Sequence, residues 1–221
     1  MSGFPKLYGI VDRATLDARG VAVGEFAREL REAGVRLVQY RDKVNGPQEV
    51  LRAALEIDVA FEGAEVTRIM NDRADLAVLA EWEGVHVGQG DLPVEAVRRV
   101  VGPGKIVGVS THNEGQMGAA LEPTSQNRDV GHPGSLPDYV AVGPVFATGS
   151  KANPDPVVGL ELVRRARAMT RLPVVAIGGI TLGNARSVIE AGADAVAVIG
   201  GLFVEGRTVR EVARDFLAVL G

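Results

Sequence analysis

The chain has 221 residues, of which 46% are hydrophobic, and its formal net charge is −4. This length suits one large domain or two small ones, the hydrophobic fraction is enough for a substantial core, and the weakly negative charge excludes a global basic field for nucleic acid. The absence of cysteine excludes disulfides and thiolate zinc sites, which fits a reducing cytosol.

The N-terminal segment has no signal-peptide pattern, and no apolar stretch reaches transmembrane length. We therefore expect a cytoplasmic protein that has no membrane or nucleic-acid partner. A homo-oligomer is left open.

Strand-like apolar segments alternate with amphipathic segments along the chain. The predicted strands are Leu7–Val11, Val35–Tyr40, Val66–Met70, Gly84–Val87, Ile106–Val109, Tyr139–Val142, Val174–Ile177 and Ala195–Ile199. The predicted helices are Val23–Ala33, Pro47–Ala60, Arg73–Ala80, Pro93–Val100, Asn113–Leu121, Gly159–Met169, Leu182–Ala191 and Thr208–Leu220. Eight strand–helix units in a chain of this length predict an α/β fold, a single closed (β/α)8 TIM barrel over residues 1–221. A doubly wound open sheet is the alternative.

One polar segment interrupts this alternation. Residues 122–137 read EPTSQNRDVGHPGSLP, which is typical of an exposed loop between the fifth predicted helix and the sixth strand. On a barrel, such a loop lies on the face opposite the active site. We therefore interpret His132 as a solvated residue and not as a catalytic one.

Polar and glycine residues recur where the predicted strands end, which is where barrel enzymes carry their chemistry. Gln39, Arg41 and Lys43 alternate along the chain and so point to one face. Taken singly, such residues are as readily helix caps, turn residues or surface ion pairs. Their convergence on one rim favours function; the further residues of this rim are Asn71, Asp72, Gln89, Asp91, Ser110, Thr148, Ser150, Lys151, Gly178, Gly179, Gly200 and Gly201.

The residue types on this rim are chemically matched to phosphorylated ligands. Arg41, Lys43 and Lys151 are cations suited to phosphate oxygens. Asp72 and Asp91 are hard oxygen ligands of the kind that hold Mg²⁺ together with substrate phosphates. Glycine turns after the last two strands expose backbone N–H groups, a common phosphate site of barrels. The rim therefore predicts one diphosphate site with a metal and one monophosphate site.

Several motifs in order carry a resemblance to a known family. They are QYRDK, MNDRADLA, GVHVGQGDLP, GVSTH, YVAVGPVFATGSKANPDPVVGL, VAIGGIT and AGADAVAVI, within a stretch that runs from about Tyr8 to Phe203. The chain resembles the thiamine phosphate synthase (thiamine-phosphate pyrophosphorylase) family. That family joins hydroxymethylpyrimidine diphosphate to thiazole phosphate and releases pyrophosphate. The resemblance implies a transferase of thiamine biosynthesis with small phosphorylated substrates.

The resemblance also implies residue roles. It assigns one Mg²⁺ per active site to Asp72 and Asp91, and catalytic roles to Arg41, Lys43, Ser110 and Lys151. It assigns the pyrimidine diphosphate to Gln39, Tyr40, Arg41, Asp42, Lys43, Asn71, Ser110 and Lys151. It assigns the thiazole phosphate to Thr148, Gly149, Ser150, Gly179, Ile199 and Gly200. Gly200 stands where the family commonly has a serine, so one hydroxyl is missing while the backbone N–H remains.

The family's mechanism is dissociative, so the protein mainly positions groups and stabilises charge. Two other functions are open at this point. One is a thiazole tautomerase-like relative, which does not need the diphosphate and metal residues; the presence of these residues together argues against it. The other is a non-catalytic barrel that binds phosphorylated metabolites, which binding residues alone do not exclude.

Overall fold

The structure, a computed structural model, describes residues 3–122, 136–149 and 156–221. Eight parallel strands pair in chain order, and β8 pairs with β1 to close the barrel. This confirms the barrel and rules out the open sheet. The strands are β1 Leu7–Asp12, β2 Leu37–Arg41, β3 Thr67–Asn71, β4 Gly84–Val87, β5 Ile106–Thr111, β6 Tyr139–Val142, β7 Val174–Ile177 and β8 Ala195–Val198.

Helices surround the barrel; three of the predicted helices have the predicted bounds, and the other five have shifted ends. The helices are α1 Arg13–Arg19, α2 Val23–Ala33, α3 Pro47–Ala60, α4 Ala74–Leu79, α5 Val94–Val101, α6 Glu114–Leu121, α7 Gly159–Met169, α8 Ala185–Glu190 and α9 Val209–Leu220. A 3₁₀ turn at Gly200–Leu202 follows β8. No helix within the described ranges is long and apolar enough to cross a membrane.

Helix α1 is an addition to the predicted pattern. The Asp12 carboxylate accepts the Thr15 N–H at its start, and Gly20 ends it in the left-handed conformation with φ 65°. Leu16 is its one buried residue, so the helix has no apolar periodicity for sequence reasoning to detect. Because Asp12 caps α1, its side chain is fixed at the carboxyl end of β1.

Strand alternation divides the core into two layers. One layer packs between strands and helices, and the other fills the barrel interior. Tyr8 and Tyr139 are the large side chains of the interior layer, and both are fully buried. Gly108 makes room for them, because a Cβ there would overlap the Tyr139 ring. The interior of the barrel therefore contains two phenol hydroxyls that need partners.

Acidic residues fasten the amino ends of the strands. Glu83, Asp138 and Asp194 precede β4, β6 and β8 and accept the backbone N–H groups of Arg68, Val107 and Val174 at 2.8, 2.7 and 2.7 Å. Each bond ties an even-numbered strand to the odd-numbered strand before it. These hydrogen bonds stabilise the amino end of the barrel. The opposite, carboxyl end is the one at which barrels of this type bind ligands.

The predicted loop at 122–137 lies largely outside the described residues, since 123–135 fall between the described ranges. Its ends are described: Glu122 follows α6 directly, and Leu136 precedes β6 closely. The loop assignment therefore stays a prediction.

Candidate active site

A cavity of about 460 Å³ opens at the carboxyl ends of the strands. The structure brings most of the predicted rim together there, from both halves of the sequence. The predicted residues that line it are Gln39, Arg41, Lys43, Asn71, Asp72, Asp91, Ser110, Thr148, Gly149, Gly178, Gly179, Ile199, Gly200 and Gly201. Gln89 does not line it, and its Nε2 donates to Ser110 O at 2.6 Å. Two more, Ser150 and Lys151, lie outside the described residues.

Tyr40 and Asp42 do not line this cavity. Tyr40 alternates away from Gln39 and Arg41 and is 1% exposed between the barrel and the helices. Its hydroxyl donates to Asp42 Oδ2 at 2.8 Å, and Asp42 Oδ1 accepts the backbone N–H of Val44 at 2.9 Å. These side chains shape the turn after β2. Direct contact with a diphosphate stays a prediction for both.

Arg41 is held by a carboxylate that sequence reasoning missed. Arg41 Nη1 lies 2.5 Å from Asp12 Oδ1, while Asp12 Oδ2 accepts the Thr15 N–H and hydroxyl at 3.0 and 2.7 Å. Asp12 is 2% exposed. A buried carboxylate with three donors is a fixed anchor. It sets the position from which the guanidinium faces the cavity.

Asp72 and Asp91 form an interacting carboxylate pair. Asp72 adopts φ 62°, a conformation that aspartate tolerates better than most residues, and its N–H donates to His86 O at 2.7 Å. Burial, helped by the hydrogen bond with Asp91, raises the pKa of Asp72 against the opposing effect of Lys43. Burial also acts to raise the pKa of Asp91, but hydrogen bonds from Asp72 and from the Gly88 N–H outweigh it and lower this pKa.

This pair fits a divalent cation. Two neighbouring carboxylates repel each other when both are ionised, so a proton or a cation bound between them is favoured. Lys43 Nζ already pairs with Asp72 Oδ2. Within the described part of the chain no group of three or more His, Asp or Glu residues forms a metal site. A two-carboxylate site completed by substrate oxygens is the arrangement that Mg²⁺ commonly takes.

Asn71 presents a buried donor for which the described part of the chain supplies no partner. Its Nδ2 has no hydrogen-bond partner among the described residues, although the side chain lines the cavity. A buried N–H left unsatisfied costs about 1–3 kcal/mol, so such groups usually have a partner. A ligand oxygen or ring nitrogen in the cavity would supply it.

Glycines form the other end of the cavity. Gly178 and Gly179 have φ 99° and 64°, and a Cβ on Gly179 would lie 2.7 Å from Phe146 Cβ. Backbone therefore approaches the cavity here where a side chain would not fit. The neighbouring lining residues Thr148, Gly149 and Gly200 add a hydroxyl and further backbone. Among the described residues, the side chains named at this end carry no charge, and the end suits a monophosphate held by backbone groups.

The floor of the cavity contains polar groups that sequence reasoning also missed. Tyr8 Oη lies 3.0 Å from Tyr139 Oη, which lies 2.9 Å from His86 Nδ1. Tyr8 Oη also accepts from Gln39 Nε2 at 2.8 Å, and His86 Nε2 lies 2.8 Å from Ser110 Oγ. A chain of hydrogen bonds thus joins Gln39 and Ser110, two of the predicted ligand residues, across the barrel.

Comparison with known proteins assigns the chain. A family model described as thiamine monophosphate synthase matches residues 7–202. The chain belongs to the thiamine monophosphate synthase family. Curated relatives that match nearly its full length include the thiamine-phosphate synthase of Koribacter versatilis, 48% identical over 98% of this chain and 96% of that protein. The thiamine-phosphate synthase of Methanocella arvoryzae is 40% identical over 97% and 94% of the two chains.

A solved member of the synthase family has the same architecture. The thiamine phosphate pyrophosphorylase from Pyrococcus furiosus superposes with a TM-score of 0.76 at 29% identity, covering 97% of this chain and 95% of that one. The family match agrees with the resemblance drawn from the motifs. The sequence contains only weak signals for the site residues that sequence reasoning missed. Asp12 ends a strand, and Tyr8 and Tyr139 are polar aromatics at inward-facing strand positions.

Proposed function

We propose that this chain is a transferase that condenses hydroxymethylpyrimidine diphosphate with thiazole phosphate to give thiamine phosphate and pyrophosphate. The observation that carries the proposal is one cavity with two chemically different anion sites. Arg41, Lys43 and a carboxylate pair stand at one end, and glycine backbone with Thr148 stands at the other. The names of the near-full-length relatives support the same reaction.

The diphosphate end neutralises the leaving group. Arg41 is fixed by Asp12, so it acts as a preorganised cation that needs little rearrangement during the reaction. Lys43 is half-exposed and bound to Asp72, and it exchanges this carboxylate for phosphate oxygens more readily. Lys151 is assigned to the same end by the family motif alone.

Asp72 and Asp91 would hold one Mg²⁺. When bound, the ion supplies positive charge to the pyrophosphate as it departs. Asp91 is oriented for this role by the Gly88 N–H, which donates to its Oδ2 at 2.8 Å. Asp72 is oriented by its backbone conformation and by Lys43.

The chemical step needs no protein nucleophile. The bond between the pyrimidine methylene carbon and the diphosphate oxygen breaks, and its electron pair leaves with pyrophosphate. The lone pair of the thiazole nitrogen then forms the new carbon–nitrogen bond. Gln39, Asn71 and Ser110, which line the cavity, hold the pyrimidine, and the cavity walls limit the access of water to the cationic intermediate.

The glycine end holds the second substrate. Thr148, Gly149, Gly179, Ile199 and Gly200 surround the thiazole phosphate, with Ser150 added by the family motif. Holding this phosphate fixes the distance from the thiazole nitrogen to the methylene carbon. The missing side-chain hydroxyl at Gly200 weakens this site more than it alters the reaction.

Pyrophosphate release tests the proposal. Purified protein is mixed with both substrates and Mg²⁺, and with each substrate alone. Release that requires the thiazole phosphate, together with formation of thiamine phosphate, is the expected result. Binding of both substrates without release would instead indicate a non-catalytic binding barrel. Release from the diphosphate alone would indicate a hydrolase.

A further inference from the structure

One residue of the cavity wall, His112, belongs to neither of the two proposed anion sites. It lies two positions after Ser110, and the side chains of both residues line the cavity. Thr111 between them is fully buried and points away from the cavity, as the period of a strand requires. His112 itself is half-buried. The His112 ring therefore stands one step nearer the mouth of the barrel than the serine that is assigned to the pyrimidine.

Hydrogen bonds hold His112 at two places. Its backbone N–H donates to Oε1 of Gln116, a residue of α6, at 2.7 Å. Its ring Nδ1 lies 2.5 Å from Gly143 O. Because a carbonyl oxygen can only accept, Nδ1 carries a hydrogen and donates it. Helix α6 thus fixes the backbone of His112, and the ring in turn holds the first residue after β6.

Gly143 begins the segment that leads from β6 into the glycine end of the cavity. Its N–H donates to Thr111 O at 3.3 Å, while its carbonyl accepts from the His112 ring. A Cβ on Gly143 would lie 2.2 Å from Ile177 O, so the segment also packs closely on β7. Since there is little free space at this point, a shift of Gly143 is passed on to the residues that follow it.

The residues after Gly143 form one wall of the glycine end. The Phe146 N–H donates to Gly178 O at 3.0 Å, which ties the segment to the first glycine of that end. Thr148 and Gly149 follow, and both line the cavity. A fixed start of this segment therefore sets where the Thr148 hydroxyl stands relative to the glycine backbone.

We propose that His112 is a positioning residue for the second substrate, because its Nδ1–H fixes Gly143 and thereby the segment that carries Thr148. The inference rests on the proposed function, which places the thiazole phosphate at the glycine end and the pyrimidine at Ser110. Because His112 follows Ser110 on the same strand end, its bond to Gly143 also joins the walls of the two substrate sites. Loss of this bond should displace the thiazole phosphate and leave the pyrimidine in place, and a displacement of about 1 Å is enough to lower a rate strongly.

The test uses variants that each keep the position of one ring nitrogen. In His112→Asn the amide N–H takes the place of Nδ1–H, whereas in His112→Gln it takes the place of Nε2; His112→Leu removes both. We expect kcat/KM for thiazole phosphate to fall about tenfold in His112→Leu and His112→Gln, and to stay within about threefold of wild type in His112→Asn. The KM for the pyrimidine diphosphate should stay near the wild-type value in all three variants.

Thr111→Val is the matched control. The Thr111 hydroxyl donates to Ala141 O at 3.0 Å, so it is also a side-chain bond from β5 to β6, but it lies outside the cavity. Its loss should lower the free energy of unfolding and leave the KM values of both substrates unchanged. A tenfold loss for thiazole phosphate in Thr111→Val would show that any loosening of these two strands has this effect, and would overturn the proposal.

Three results at His112 would also overturn it. Activity that is kept in His112→Gln and lost in His112→Asn would show that Nε2 contacts a ligand directly. Equal losses in all three variants would show that no single hydrogen bond is responsible, and wild-type kinetics in His112→Leu would show that the bond to Gly143 positions nothing.

Calorimetric binding of thiazole phosphate separates this inference from the proposed function. If the wild-type protein binds thiazole phosphate but shows no turnover with both substrates, the proposed function fails. Weaker binding in His112→Leu and His112→Gln than in His112→Asn would then still support the role of His112, and equal binding in all variants would overturn it. A wild-type protein that binds no thiazole phosphate would overturn both.

Discussion

Arg41 Nη1 and Asp12 Oδ1 lie 2.5 Å apart across adjacent strands, and the carboxylate is buried. Asp12 also caps α1, so one residue stabilises a helix and pairs with a cation that lines the cavity. We expect Asp12→Asn to keep the cap, because asparagine is an equally good cap, but to loosen Arg41. The KM for the pyrimidine diphosphate should rise about tenfold, from the loss of a charge-assisted bond. Steady-state kinetics in both substrates measure this.

Asp12→Ala provides the comparison. It loses the cap as well as the charge, so its free energy of unfolding should fall by about 1 kcal/mol more than that of Asp12→Asn. Wild-type kinetics in Asp12→Asn would show that the ion pair does not position Arg41 for the substrate.

The carboxylate pair leads to a prediction about the metal. Asp72→Asn removes a charge while tolerating the positive φ of this position, so the fold should persist and most turnover should be lost. Chelation of Mg²⁺ should abolish turnover in wild type, and added Mg²⁺ should restore it. The measurement is pyrophosphate release against Mg²⁺ concentration. Asp75→Asn, a surface carboxylate of the same turn paired with Arg73, is the control and should behave as wild type. Normal turnover of Asp72→Asn at low Mg²⁺ would show that Asp72 is a turn residue and not a metal ligand.

Lys151 leads to a prediction that comes from the sequence motif TGSK. A cation that contacts mainly the departing pyrophosphate contributes about 2–4 kcal/mol to the transition state, by analogy with one preorganised donor. Lys151→Ala should therefore lower kcat strongly and leave thiazole phosphate affinity nearly unchanged. Lys151→Arg should rescue only part of the loss, because the two cations differ in reach and geometry. Steady-state kinetics and a separate binding measurement check both points; an unchanged kcat in Lys151→Ala would mark a solvated surface lysine.

The glycine end leads to a pair of opposite predictions. Gly179→Ala should raise the KM for thiazole phosphate, because φ is 64° and the added Cβ would crowd Phe146. Gly183→Ala is the control, since its Cβ would meet only Thr181 Oγ1 at 3.9 Å. Gly200→Ser should lower the KM for thiazole phosphate by restoring a hydroxyl. Kinetics at saturating pyrimidine diphosphate separate these effects, and a Gly179→Ala enzyme with unchanged KM would contradict the assignment of this end.

Local patterns in the sequence were sufficient for the barrel and most of its rim. Each strand is a short apolar run, each helix has its own period, and both signals lie within neighbouring residues. Gln39, Arg41 and Lys43 share a face because a strand has period two. Asp72, Asp91 and the glycines after β7 and β8 could be placed on one rim because parallel strands end at the same edge.

Pairings between distant strands were beyond such patterns. Asp12 meets Arg41 because β1 pairs with β2 in a register that the sequence does not specify. Tyr8 meets Tyr139, 131 residues away, because the closed barrel turns both side chains into its interior. Seen alone, Tyr8 reads as an ordinary core residue and Asp12 as a helix cap. The hydrogen bonds that lead from Gln39 through Tyr8, Tyr139 and His86 to Ser110 cross five strands. Hydrogen bonding acts at about 3 Å, so only the packed barrel determines which polar groups become partners.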